Sequence, residues 1–181
     1  MFTDLGLVGW NQLVIGGHEI RSASLVDQAR EFQQSSRAFS PGLLDQVSGE
    51  LAEVETRIRP GVLHRCGSAI EQLADPTLLK DDRPVAVRLN QLEQDLQQFR
   101  DENQLARVVV VNVASTEPPV DSAGLPQTWQ AAEQQPDLFP VSSLYAMAAM
   151  RTGCGYVNFT PSLASNTPAL CELAEQTGVP H

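Results

Sequence analysis

The stretch Arg107-Val108-Val109-Val110-Val111-Asn112-Val113-Ala114-Ser115-Thr116-Glu117-Pro118-Pro119 decides the reading of this chain. Four consecutive valines are β-branched, stiff at χ1 and poor helix material, so they predict a strand. The run does not alternate with polar residues. That pattern predicts an inner parallel strand, buried on both faces beneath helices. Small polar residues follow at Ala114, Ser115 and Thr116, and in open α/β sheets ligands bind beyond the carboxyl ends of the strands. Pro118 and Pro119 carry no amide hydrogen and end the ladder. Taken alone, the stretch reads more readily as a core strand closed by an ordinary turn.

Working outward, a second stretch ends the same way. Gly155-Tyr156-Val157-Asn158-Phe159-Thr160-Pro161 is apolar, then polar, then proline. A helix of small residues, Leu144 to Thr152, lies before it, with Ser142 or Ser143 as its cap and Gly153 as its stop. Strand, helix, strand predicts two adjacent parallel strands, residues 107–113 and 156–159, with their polar ends on one edge. Upstream, Val85 to about Asn103 places Val85, Leu89, Leu92, Leu96 and Phe99 on one helical face. Downstream, Thr167-Pro168 opens a helix bearing Leu170, Leu173 and Ala174, and Gly178 stops it. Val179-Pro180-His181 predicts the start of another strand.

The first half is less regular. Leu13-Val14-Ile15 predicts a short strand broken by Gly16-Gly17, after which Glu19 stands where dinucleotide folds place a ribose-binding carboxylate. On the residues alone, a solvated loop glutamate is the favoured reading of Glu19. Ser22 or Ser24 caps a helix with Leu25, Ala29 and Phe32. Ser40-Pro41 opens another, carrying Leu44, Val47, Leu51, Val54 and Ile58 and ending at Arg59-Pro60-Gly61. Val62-Leu63 predicts a short strand, Ser68 to Ala74 a small helix, and Asp75 to Pro84 a surface connection. Between Glu117 and Pro136 the only expected helix is near Thr128 to Gln134.

Composition narrows the function. The 181 residues suit one domain, able to bury roughly 70% of its unfolded surface. A net charge of −10, from 12 Lys and Arg against 22 Asp and Glu, argues against nucleic-acid or membrane partners, which need a basic face. Cys66, Cys154 and Cys171 form no CxxC pair, and His18, His64 and His181 are scattered, so no metal site is expected. With no signal peptide and no long apolar run, a cytoplasmic setting is the simplest expectation. There is no serine elbow, HExxH, P-loop or Gly-x-Gly-x-x-Gly loop, and no catalytic residue to name. The residues alone support an α/β domain with a polar site at strand carboxyl ends.

Four segments then carry a resemblance. Leu13-Val14-Ile15-Gly16-Gly17-His18-Glu19-Ile20-Arg21, Val108 to Pro119, Ser142-Ser143-Leu144-Tyr145-Ala146 and Tyr156-Val157-Asn158-Phe159-Thr160-Pro161 resemble, in order, the myo-inositol-1-phosphate (inositol-3-phosphate) synthase family, nearest its bacterial branch. The resemblance implies an incomplete Rossmann-like α/β fold with a mainly parallel sheet flanked by helices. It also implies an NAD-dependent isomerase that converts glucose 6-phosphate to inositol 3-phosphate and recycles its NAD. By matched position it implies Glu19, Ile20, Ala114, Ser115, Thr116 and Asn158 as cofactor-binding residues. Thr160 is implied at the substrate phosphate, and a homo-tetramer is implied for full-length members. The family's glycine-rich loop and its catalytic lysines have no counterpart here, Lys80 being the sole lysine. The expectation is therefore a central, inactive fragment, with a non-catalytic binding or scaffold remnant as the alternative. Another NAD-dependent oxidoreductase sharing only the fold is a third reading.

Overall fold

The computed structural model describes residues 8–40 and 42–181. It comprises two compact units. One takes the described residues up to Glu19 together with Ala23–Arg59, and the other takes Ile20–Ser22 together with Pro60–His181.

In the first unit, β1 (Gly17–Glu19) pairs with β2 (Ile58–Pro60, its last residue already in the second unit). Between them lie α1 (Leu25–Ser36) and α2 (Leu43–Glu55), packed on each other. The strand thus falls on Gly17, which sequence assigns to a break, and the Leu13-Val14-Ile15 triplet is irregular. Pairing overrides propensity here, because the Gly17 amide donates to the Arg57 carbonyl at 3.2 Å. The same contact explains why Ile58 leaves the helical stripe. Helix α2 stops at Glu55, and Ile58 opens β2, so the expected strand at Val62-Leu63 lies four residues too late. The expected proline start at Pro41 lies outside the described residues. Ser24 stands at the N-cap of α1 without capping it through its own side chain. Glu55 does that work from α2: its Oε2 accepts from the Leu25 amide at 3.0 Å and from the Ser24 hydroxyl at 3.1 Å.

The second unit runs α3 (Ser68–Glu71), α4 (Val85–Glu102), β3 (Val109–Asn112), α5 (Trp129–Gln134), α6 (Val141–Arg151), β4 (Gly155–Asn158) and α7 (Pro168–Thr177). Helix α3 is shorter than expected, and a 3-10 turn at Leu78–Lys80 interrupts the connection after it. The core gathers where α4, α6 and α7 meet the sheet: Leu92, Phe139, Leu144, Met147, Met150, Tyr156 and Leu170 are almost fully enclosed. Each such large apolar side chain contributes about 1.5–3 kcal/mol on burial. The alanines at 146, 148 and 149 are also enclosed, which lets α6 approach its neighbours closely. Capping agrees with the sequence at α7, where Thr167 accepts from the Leu170 amide, and Thr128 caps α5 by accepting from the Ala131 amide. At α6 it does not. The helix begins at Val141, so Ser142 and Ser143 lie inside it, buried.

β3 and β4 are parallel, in register Val109↔Gly155, Val110↔Tyr156, Val111↔Val157 and Asn112↔Asn158, as the paired strand patterns predict. The expectation that β3 is buried on both faces fails. Val108 and Val110 pack against the core, but Val109, Val111 and Val113 are 58%, 47% and 75% exposed, beside Phe159 at 75%. Helix α6 packs on the strands from one side only. The valine run is apolar on both faces, yet the described residues cover one of them. The expected strand at Val179-Pro180-His181 is likewise absent. The Val179 amide is used to close α7, bonding to Ala174, and proline has no amide; the Pro180 carbonyl accepts from the Tyr156 amide.

Candidate functional site

Parallel pairing in register brings the carboxyl ends of β3 and β4 together, and with them most of the residues singled out from sequence. Asn112 and Asn158 face each other as the last ladder pair, and the Phe159 amide extends the pairing by donating to the Asn112 carbonyl at 2.9 Å. Ala114, Ser115 and Thr116 follow directly and are exposed, so their backbone and short side chains are open to a ligand.

Asn158 and Thr160 are less open. The Asn158 amide nitrogen donates to the carbonyls of Thr160 and Ser162, both at 3.0 Å. Its Oδ1 accepts from the Thr160 hydroxyl (2.8 Å), the Thr160 amide (3.2 Å) and Asn112 Nδ2 (3.0 Å). An amide side chain offers two donors and two lone pairs, so Asn158 is fully used. The Thr160 hydroxyl in turn accepts from the Ser162 amide at 3.2 Å. These two residues knot the loop after β4 into one shape. Asn112 does the same for the loop after β3, its Oδ1 accepting from the Ala114 amide at 3.2 Å.

Glu117 is the residue that sequence reasoning passed over. It is buried, and its carboxylate accepts from the Ser142 amide at 2.7 Å and from the Ser142 hydroxyl. Helix α6 starts after Pro140 with no side-chain cap of its own, so Glu117 meets the exposed amides and the positive end of its dipole. The neighbouring chain makes room for it. Gly67 has φ +89°, and a Cβ there would lie 2.7 Å from Pro118 Cγ, so only glycine lets the Glu117-Pro118 turn pass. Nearby, burial pushes the Cys66 thiol above its usual range, reinforced by the charges of Glu71 and, more weakly, Glu117. Burial also pushes the Tyr156 phenol upward, so it stays protonated and donates to the Ser142 carbonyl at 3.1 Å. The available signal was chemical: an asparagine closing an all-valine run, and a glutamate held between a threonine and two prolines.

Glu19 is half-buried and ends β1 in the first unit. Ile20 begins the short segment that belongs to the second, where its carbonyl accepts from the Asp75 amide at 2.7 Å. Asp75 also accepts from the Ser22 hydroxyl and from the Thr77 amide and hydroxyl, and these bonds hold its carboxyl down at about 2. Among the described residues, no group of three or more His, Cys, Asp or Glu side chains is placed to hold a metal ion. No helix among them is long and apolar enough to cross a membrane.

A family model described as myo-inositol-1-phosphate synthase, and named for NAD binding, matches residues 2–181. The inositol-3-phosphate synthase of Drosophila melanogaster is 30% identical over 185 residues, covering 97% of this chain and 30% of that protein. That of Saccharomyces cerevisiae is 28% identical, covering 96% of this chain and 34% of that protein. The crystal structure of the Caenorhabditis elegans inositol-3-phosphate synthase superposes with a TM-score of 0.73 at 24% identity, over 95% of this chain and 33% of that one. That likeness shows the fold, an α/β arrangement of the Rossmann-like kind. The chain spans about a third of the length of the relatives it matches. A match across residues 2–181 places the chain in the myo-inositol-1-phosphate synthase family.

Proposed function

We propose that this chain supplies part of the NAD site of an inositol-3-phosphate synthase, which converts glucose 6-phosphate to 1D-myo-inositol 3-phosphate. The supporting observation is the shared edge where β3 and β4 end in register at Asn112 and Asn158. In this reading the Glu19 carboxylate, with Ile20 beside it, takes the adenosine end of the cofactor through the ribose hydroxyls. Ala114, Ser115 and Thr116 border the cofactor with exposed, short side chains. Asn158 fixes the loop that faces it. Thr160 lies toward the sugar phosphate, and its hydroxyl reaches an anion only by giving up its bond to Asn158. When bound, NAD supplies a hydride acceptor and, once reduced, a hydride donor. The residues here fit binding and orientation; none of them is positioned as an acid or base for the sugar, and this chain's share is the cofactor edge. Cytoplasmic location, a homo-tetramer at the length of the relatives, and no nucleic-acid or membrane partner belong to the same proposal.

The test has two parts. The purified 181-residue chain, given NAD and glucose 6-phosphate, is expected to bind NAD weakly and to form no inositol phosphate; detectable product refutes the assignment of catalysis elsewhere. In a version extended to the length of its relatives, Glu19→Ala is expected to weaken NAD by about 1–3 kcal/mol, the cost of removing one partner of a charged hydrogen bond. Thr160→Val is expected to weaken the sugar phosphate more than NAD. Calorimetric titration reads both. Unchanged affinities in both variants place the site on another edge.

A further inference from the structure

The two loops of the candidate site share an anchor. After β3 the chain passes through Ala114, Ser115 and Thr116 to Glu117, whose backbone amide donates to the Ser162 hydroxyl at 3.1 Å. Ser162 belongs to the loop after β4. The Glu117 carboxylate holds Ser142 by amide and hydroxyl at the start of α6. The Ser142 hydroxyl in turn accepts from the Ala164 amide at 3.2 Å, and Ser143 donates to the Ala164 carbonyl at 2.7 Å. Ala164 sits at φ +47°, a left-handed conformation unusual for alanine that persists only where its surroundings fix it. Glu117 thus touches the β3 loop through its own backbone, the β4 loop through Ser162, and the far end of that loop through Ser142. All of these groups are buried or nearly so, where water does not replace a lost partner.

We propose that Glu117 is the positioning residue of the cofactor edge. It couples the β3 loop (residues 113–117) to the β4 loop (residues 159–164), so that the two move as one body. This rests on the proposed NAD site only for its purpose; the coupling itself stands on the hydrogen bonds. A plain helix cap would hold Ser142 and α6 and leave the β4 loop indifferent. A coupler holds both loops: losing the Glu117 carboxylate frees Ser142 and, through it, the Ala164 end of the β4 loop, while the Glu117 amide keeps its bond to Ser162.

Amide hydrogen exchange on the 181-residue chain separates the two roles. Glu117→Ala, which gives up both carboxylate bonds to Ser142, is expected to speed exchange at residues 113–117 and at 159–164 by about tenfold together. Should that variant fail to fold, Glu117→Gln keeps the shape and an acceptor for the Ser142 amide. It is expected to release both loops in the same proportion to each other, though less far. Ser162→Ala, which cuts only the bond to the Glu117 amide, is expected to free the β4 loop less than Glu117→Ala does. Faster exchange confined to residues 142–145, with 159–164 unchanged, overturns the proposal and leaves a helix cap. A readout that a structural role alone does not move comes from adding NAD. In the version extended to the length of its relatives it is expected to slow exchange in both loops in parallel, and in Glu117→Gln of that version to slow them unequally. No slowing anywhere in the extended version counts against the NAD reading, while the comparison without NAD still decides the role of Glu117.

Discussion

The two units are held together by different means. Neither helix of the first unit, α1 or α2, has a buried residue, whereas α6 in the second buries eight of its eleven. The first unit relies on directed polar ties: Glu55 on the start of α1, Arg57 Nε on the Ile15 carbonyl at 3.0 Å, and an exposed ion pair from Arg57 to Glu53. The second relies on close packing, with polar ties reserved for the strand ends. Packing scales with enclosed area and resists local opening; exposed ties are matched by water and open singly. The difference assigns stability to the second unit and adjustability to the first.

The largest expected effect tests that assignment directly. Leu144→Ala removes a fully enclosed side chain and is expected to cost about 2–5 kcal/mol in urea denaturation. Phe32→Ala in α1, where Phe32 is 52% exposed and touches Phe39 edge-on at 5.7 Å, is expected to cost under about 1.5 kcal/mol. Equal losses break the comparison.

A smaller effect sharpens it. Glu55→Ala strips the start of α1 of its acceptor and is expected to cost about 1 kcal/mol locally. Exchange at the amides of residues 25–28 is expected to quicken while the main unfolding transition, read by circular dichroism, stays put. A shift of the whole transition by the same amount means that the two units unfold as one.

The smallest effect is a titration. Asp75 is partly exposed and its carboxyl is held at about 2, chiefly by Ser22 and then by Thr77. A carboxyl with a lowered folded value stabilises above its ordinary value of 3.8, and that contribution is lost as pH falls through about 2. Carboxyl titration by NMR is expected to show a midpoint near 2 in the wild-type chain. Ser22→Ala is expected to raise that midpoint toward 3.8. An unmoved midpoint means that Ser22 does not tether the Ile20–Ser22 segment to Asp75.

The second unit was largely legible in its sequence and the first was not, for the same physical reason. Helix α4 begins at Val85 as its stripe of Val85, Leu89, Leu92 and Leu96 requires, because periodicity reports burial and this helix is buried. Helix α7 follows its Thr167 cap, its proline and Gly178, all local signals. Where burial is slight, the same signals lose their hold. Gly17 pairs despite being glycine, and Ile58 leaves a stripe that no core enforces. At the site, Ser115, Thr116, Asn158 and Thr160 stood out by position after a strand. Asn112 and Glu117 did not, and Ser142 stood out only as a helix cap, because their role is defined by partners 25 to 46 residues away. Spacing along the chain carries no trace of that.

The facing pair Asn112 and Asn158 has one more consequence, for how the strands find each other. A sheet register is normally fixed because a slip of one residue turns apolar side chains outward. Val108 to Val111 offer no such penalty: slid by one or by two, the strand still shows valine to both sides. Only Asn112 breaks the monotony, and its amide finds Asn158 in a single alignment, the native one. Slid by one residue, it would lie against Val157 or Phe159 instead of a matching amide. The asparagine pair therefore acts as an indexing mark on an otherwise featureless ribbon, so that a strand indifferent to its own alignment comes to rest in one.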